Sequence, residues 1–402
     1  MKNAVTTGNS RLPRMVVVVG LVSLFNEIAS QIVAPLIPIL LVTVLSAGPV
    51  ALGIIEGLAD AVACFLRLWS GKLSDAWGAR RKGLMLAGYA VANAAKPLIA
   101  FAASWWVVAM LRTSDRVGKG LRSAPRDALV ADVTPQAIRG RAYGVQRALD
   151  RIGAISGSLI AAAVLAWSGL GISDVILASA IPGVIAVLLI VFFVHDAPRV
   201  QPVQQPQPQA ELRWAGLSPE LRRFFPVLGI FGLARASEAF ILLRGHELGM
   251  SVVELLLMWA TLNAAQSTSA WGGGRIADRT GALAMVCFSW GAFAATFIML
   301  ALSSSPLFLW LATILYGLLS GMSEGVERTF VSRLAAASQR GTVFGWYNMV
   351  LGVAAIPSGV LFGVIWQLSS AQWAFTASAI LALLAVIGLA IGMRARPASA
   401  RE

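Results

Sequence analysis

The sequence predicts an all-α integral membrane protein, with twelve transmembrane helices in two pseudo-symmetric six-helix bundles. Three observations predict it. Of the 402 residues, 57% are hydrophobic and 13% charged, and the mean hydropathy is +0.75, more apolar than a soluble chain of this size can bury. Apolar stretches long enough to cross a hydrocarbon core recur along the whole length. A pattern of glycines and charges in the first half returns in the second.

The spans follow in chain order. The first is read at 15–45; Arg11 and Arg14 precede it in the manner of a signal peptide, but the apolar run outlasts an h-region and holds Pro35 and Pro38 without a convincing cleavage site, so it is read as an uncleaved helix. The next are 50–69, 83–103 and 105–121, the last opening on Trp105 and Trp106, which suit a membrane interface. Spans 143–167 and 175–194 complete the first bundle. The Pro- and Gln-rich run at 197–210 reads as solvated linker, and 211–223 as a surface-lying amphipathic stretch. The second bundle has spans at 224–243, 252–271, 282–303, 307–324, 343–366 and 373–393. Division into bundle, linker and bundle at 1–196, 197–223 and 224–402 follows. None of the spans alternates polar and apolar residues as a barrel strand does.

A net charge of +13 in a soluble protein would suggest nucleic acid. Here the basic residues gather on one set of connections, including Lys72, Lys82, Arg139, Arg141, Arg213 and Arg279. The opposite connections, around Ser46, Ser104, Gly169, Ser304 and Ser369, carry none, with Arg244 the exception. This places both termini in the cytoplasm of a bacterial-type inner membrane and removes the case for nucleic acid. Cys64 and Cys287 fall in separate spans and imply no disulfide; His195 and His246 form no metal cluster. The absence of a Walker segment argues against ATP drive, and no nucleophile-base or metal constellation supports an enzyme. No cofactor is expected.

Gly71, Asp75 and Gly78 in GKLSDAWGA return as Gly274, Asp278 and Gly281 in GRIADRTGA, 203 positions on. Gly120 with Arg139 and Gly140 returns as Gly321 with Arg340 and Gly341, 201 positions on. Two matches at nearly one offset point to duplication. The 71–78 segment, followed by Arg80 and Arg81, resembles the cytoplasmic signature between the second and third helices of the major facilitator superfamily, and span order, linker and second-half echo carry the resemblance across the chain. It implies secondary transport by alternating access. It also implies a cytoplasmic gate of Asp75 against the helix starting near Gly341, mirrored by Asp278 near Gly140. The Gly153 to Ser158 stretch resembles the Gly-rich antiporter signature of the fifth helix but lacks its Pro.

An ionisable side chain in a span costs about 3 kcal/mol and marks a pathway or a pairing. Arg112, Asp115, Arg116 and Lys119 recur at spacings of three, four and three, hence on one helix face, and Arg122, Arg126 and Asp127 extend the charge. Arg116 to Gly120 resembles the family's fourth-helix motif linked to proton coupling. Arg147, Asp150 and Arg151 of the fifth span are expected across the cavity. Two readings stay open for this cluster: its spare cations bind an anionic solute, or it is a saturated internal network. Glu27, Asp60 with Glu56 one turn away, Glu238 and Glu324 are candidate proton carriers; Arg235 lies within reach of Glu238, and Glu327 with Arg328 is read near the cytoplasmic edge. Asn263, Gln266, Asn348, Trp346 and Tyr347 are read as helix contacts that could also line a cavity. The expected function is proton-coupled transport of a small anionic organic solute by a monomer in the bilayer. Efflux of amphipathic or cationic drugs is the alternative on the same fold; a non-transporting receptor is the alternative of another class.

Overall fold

The computed structural model describes residues 12–76, 81–196, 214–335 and 339–394, with side chains except at 67–76, 271–280, 215, 324, 340 and 394. Hydrocarbon offers backbone groups no partner, so apolar chain must satisfy its own hydrogen bonds as helix. Every described element is helical. Twelve long segments run in order: α1 (Arg14–Thr43), α2 (Pro49–Ala76), α3 (Arg81–Phe101), α4 (Trp105–Val133), α5 (Arg139–Ser168), α6 (Ile172–Phe193), α7 (Pro219–Glu247), α8 (Val252–Thr280), α9 (Ala282–Leu302), α10 (Pro306–Leu334), α11 (Arg340–Leu368) and α12 (Ala371–Arg394). Ten of them are apolar enough to cross a membrane on composition alone. The other two are α4, which brings Arg112, Asp115, Arg116, Lys119 and Arg122 to the cavity described below, and α8, which brings Asn263 and Gln266.

Several boundaries differ from expectation: α2, α8 and α10 end at 76, 280 and 334 where 69, 271 and 324 were expected, and two further differences bear on the site. α4 continues through Pro125 to Val133, twelve residues past the expected end at 121 (133 − 121), because its last turns pack Leu129 and Val130 into the first-half core. α7 starts at Pro219 and so takes in part of the stretch read as surface-lying; Ser218 caps it by accepting from the Leu221 amide at 3.3 Å, and Pro219 at the first position needs no donor partner.

The two halves repeat each other. α3 and α9, α4 and α10, and α5 and α11 each start 201 residues apart (282 − 81, 306 − 105, 340 − 139). Packing repeats as well: α1 lies on α5 and α6 as α7 lies on α11 and α12, while α4 lies on α2 and α3 as α10 lies on α8 and α9. Gly120 meets Leu66 where α4 crosses α2, and the matched Gly321 meets Ser269 where α10 crosses α8. The halves meet through α2 on α11 and α5 on α8, two contacts that the repeat exchanges.

Both first helices of the halves are interrupted at mid-length. In α1, Pro35 lacks the amide that would bond the Gln31 carbonyl, the chain tightens to a 3₁₀ turn at Ala34–Leu36, and the Ser158 hydroxyl donates to that carbonyl at 3.4 Å. In α7 the helix stops at Ala234 and restarts at Ala239, and the Ser358 hydroxyl donates to the Leu233 carbonyl at 2.9 Å. The part of α7 beyond its interruption packs against the 3₁₀ turn and final turns of α1.

An even number of helices puts the start of α1 and the end of α12 on one face, here called the terminal face. Toward the other, far face, the apolar core runs continuously between the halves, from Leu36, Leu40 and Leu52 to Phe240, Leu255 and Phe362. Toward the terminal face the first half keeps a cluster of its own around Val19, Met85, Tyr89 and Ile190. Among the described residues the halves thus close on the far side and share no apolar core on the terminal side.

Candidate functional site

A cavity of ≈ 360 Å³ lies between the halves, immediately on the terminal side of the shared core. The two helix interruptions form its end: Ala34 comes from α1, and Arg235 to Ala239 from α7. Charged residues of α2 and α4 line the first-half wall; Trp259, Asn263 and Gln266 of α8 and Tyr316 of α10 line the other.

The α4 face predicted from spacing is present, and its charges are largely paired. Arg112 grips Glu56 with two bonds, Nε to Oε1 at 3.1 Å and Nη2 to Oε2 at 3.3 Å, both residues being buried. Its Nη1 lies 3.6 Å from Asp115. Arg116 stands farther from its carboxylates, 4.0 Å from Glu56 and 3.9 Å from Asp60, which is half exposed to the cavity. Asp115 is also approached at 3.7 Å by Lys96 of α3. Lys96 is 2% exposed; its ammonium donates to Asn26 Oδ1 at 3.1 Å and Asn93 Oδ1 at 3.0 Å, tying α1, α3 and α4 together behind the wall. Sequence reading missed Lys96, although a lysine three residues after Asn93 in an otherwise apolar span was the available signal.

Arg122 is different. Its guanidinium is buried, stacks over the Tyr89 ring at 4.4 Å and lines the cavity, and its Nε has no hydrogen-bond partner. Gly118 and Gly88 let α4 and α3 approach backbone to backbone beside it; a Cβ on Gly88 would lie 2.9 Å from Arg122 Cβ. Glu27 also lines the cavity, accepts from Gln31 Nε2 at 3.3 Å and lies within electrostatic reach of Lys119, Arg122 and Lys96. Its position is set by Gly153 and Gly157, which seat α5 against the carbonyls of Leu24 and Ile28. Those glycines, noted as resembling an antiporter signature, here serve as a helix contact.

In the second half, Glu238 faces the cavity and accepts from Gln266 Nε2 at 2.6 Å and Tyr316 OH at 3.2 Å. Arg235 turns to Glu327 instead, Nη1 to Oε2 at 3.5 Å. Glu327 is 1% exposed and also accepts from Tyr347 OH at 2.8 Å and Trp290 Nε1 at 3.0 Å. Tyr347 is thus a partner of this carboxylate. Across the halves, Trp259 Nε1 donates to Gln31 Oε1 at 2.7 Å.

Arg147, Asp150 and Arg151 do not line the cavity; Arg147 is exposed, and Asp150 lies 3.6 Å from Arg126 toward the terminal face. Of the gate residues, Gly78 and Arg80 and the side chains of Asp75 and Asp278 lie outside the described residues, as does the side chain of Glu324; Gly71 and Gly274 fall within α2 and α8. Arg81 is described and lies 3.1 Å from Asp132, while Gly281 adopts φ 89°, which suits the tight turn between α8 and α9.

The profile of the Major Facilitator Superfamily matches residues 19–359 and 224–402. The chain is 26% identical over 379 residues to an uncharacterized MFS-type transporter of Methanocaldococcus jannaschii, covering 93% of each. It is 32% identical over 136 residues to the multidrug resistance protein MdtH of Yersinia enterocolitica, covering 34% of this chain and 33% of that one. In fold it is similar to the nucleoside transporter NupG, with a TM-score of 0.78 at 14% identity over 96% of this chain and 100% of the other.

Proposed function

The chain belongs to the major facilitator superfamily, and from that premise we propose that it moves a small anionic organic solute across the membrane by alternating access, coupled to protons. As a multi-pass membrane transporter it is not an enzyme. Arg122 carries the reading: a buried guanidinium without a carboxylate bonded to it, facing a cavity between the halves where a solute fits, supplies a fork for carboxylate or phosphate. Arg116, held only loosely, lines the same cavity six residues earlier in α4. Arg112 is assigned to structure, since Glu56 already takes its fork. Glu27 and Glu238 are bonded by neutral donors, which leaves them free to hold a proton in one state and release it in another.

The basic connections favour termini in the cytoplasm of a bacterial inner membrane, so the described arrangement corresponds to access from the cytoplasm. Asp75 and Asp278 would close that side, and the bundles divided by the 197–223 linker would rock against each other as a monomer. The test is uptake of labelled mono- and dicarboxylates and organic phosphates into proteoliposomes with and without a pH gradient. Uptake of an anion that collapses with a protonophore and falls at least about tenfold in Arg122→Gln is expected. Transport of amphipathic cations untouched by Arg122→Gln would instead favour drug efflux, the reading that the partial likeness to MdtH keeps open. Binding without flux would leave a receptor.

A further inference from the structure

Glu27 lines the cavity with charge on several sides. Lys119 and Arg122 act on it from α4, Lys96 from α3 and Asp150 from α5. All four sit on helices of the first half, as Glu27 does. They travel with the carboxylate when the halves rock, so by themselves they carry no report of which face is open. A group that takes a proton on one side and releases it on the other needs a contact that the motion itself makes and breaks.

Gln31 has such a contact. Its Nε2 donates to Glu27 Oε1 at 3.3 Å, and its Oε1 accepts from Trp259 Nε1 at 2.7 Å. Trp259 belongs to α8 of the second half and packs against the apolar core that closes the far side. An indole N–H is a donor and nothing else, so it fixes the amide with its oxygen toward Trp259 and its NH2 toward Glu27. The Gln31 backbone is held from the first half, where its carbonyl accepts from Ser158 of α5. The side chain thus joins a first-half carboxylate to a second-half ring.

We infer that Trp259 is a positioning residue for Glu27, acting through Gln31 to make proton binding depend on which face is open. The inference rests on the reading of Glu27 as a proton carrier and says what times it. With the far side closed, Trp259 aims the Gln31 amide at Glu27, and a donor directed at a carboxylate favours its ionised form. Opening the far side draws α8 away from α1, Trp259 leaves with it, and the Gln31 side chain is free to turn. Glu27 then loses its donor and takes a proton from water on the far side. Closing the far side restores the donor, and the proton passes to water on the terminal side. Each cycle moves one proton from the far side to the terminal side.

The experiment titrates Glu27 on the full chain in lipid, with protons as the probe, by infrared difference spectroscopy; the signal is the carboxyl band that Glu27→Gln removes. Trp259→Phe keeps an aromatic ring and deletes the N–H, while Gln31→Met keeps the length of the side chain and deletes the amide. Each is expected to raise the midpoint of the band by about one pH unit, a tenfold gain in proton affinity, and the two together no more than either alone. The open face is followed by maleimide reaction of Ala34→Cys, with Cys64 and Cys287 replaced by Ser, and is expected to remain the terminal one. Wild-type midpoints in both variants would overturn the relay and leave Glu27 a carrier timed by something else. A midpoint that moves only where Ala34→Cys has become reactive from the far side would make Trp259 a latch between the halves, which also overturns the relay. A wild-type band that does not titrate would overturn the carrier reading of Glu27 together with it. Trp259→Phe and Gln31→Met test one bond from its two ends, so if either fails to fold the other decides.

Discussion

Arg112 and Glu56 illustrate how far a single residue can be read. The spacing of Arg112, Asp115, Arg116 and Lys119 foretold one charged helix face, because helical geometry alone sets which side chains share it. It could not foretell which of the four was already bonded, since Glu56 and Lys96 arrive from other helices. The distinction has a measurable consequence. Arg112→Gln leaves Glu56 buried without its fork, and uncompensated buried charge costs about 3–5 kcal/mol, so a large fall in thermal unfolding midpoint is expected. Replacing both residues with Met removes both charges and should recover most of that loss. If Arg112→Gln unfolds at the wild-type temperature, the pairing is not what holds α2 to α4. Arg122→Gln, with no carboxylate bonded to it, should shift the midpoint far less while impairing transport. Glu327 makes the same point: Arg328 follows it in sequence, but a helix points adjacent residues in different directions, and Arg235, Tyr347 and Trp290 reach it from three other helices.

At the scale of elements, the interruption in α1 was legible and the one in α7 was not. Pro35 and Pro38 announce the first, because proline removes the amide donor the preceding turn needs. The α7 interruption runs through Arg235, Ala236, Ser237 and Glu238, where the Ser237 hydroxyl accepts from the Ala239 amide at 3.3 Å but no residue type forbids a continuous helix. What sustains it is tertiary: Ser358 satisfies the Leu233 carbonyl, Glu327 holds Arg235, and Gln266 with Tyr316 holds Glu238. Only the repeat hints at it, since Ser158 and Ser358 stand 200 positions apart and do the same work on α1 and α7 (358 − 158). Ser358→Ala strips the partner from a carbonyl at mid-membrane and should cost about 1–3 kcal/mol, read as a lower denaturation midpoint in mixed micelles. Ser158→Ala removes a longer bond, 3.4 Å against 2.9 Å, and should cost less. Equal midpoints for Ser358→Ala and wild type would mean that α7 is interrupted for another reason.

For the molecule as a whole, the duplicated six-helix plan was readable because it lives in periodic and local features: apolar length, glycine and charge at a fixed offset, and a Pro- and Gln-rich divider. The state in which the halves meet was not readable, because it depends on two surfaces that are distant in sequence. On the far side those surfaces are α2 and α11, and they approach through glycine: Gly53 and Gly359 lie backbone to backbone, Gly57 sits on the Ala355 carbonyl, and Gly363 on that of Pro49. A side chain at Gly359 cannot be accommodated there by rotating a neighbour, because what it would strike is the Gly53 backbone. The same residues part when the far side opens, so a bulky side chain penalises one state of the cycle and spares the other. Gly359→Leu should therefore hold the cavity open to the far side instead of the terminal side. Ala34, at the cavity end nearest the seal, reports the difference. In a background with Cys64 and Cys287 replaced by Ser, Ala34→Cys should react with an impermeant maleimide from the terminal side alone while the far side stays closed. Adding Gly359→Leu should expose it to reagent from the far side and slow solute exchange at least about tenfold, since a carrier held in one state cannot complete its cycle. Labelling that stays confined to the terminal side, with exchange at the wild-type rate, would show that this glycine seam is not the surface that opens.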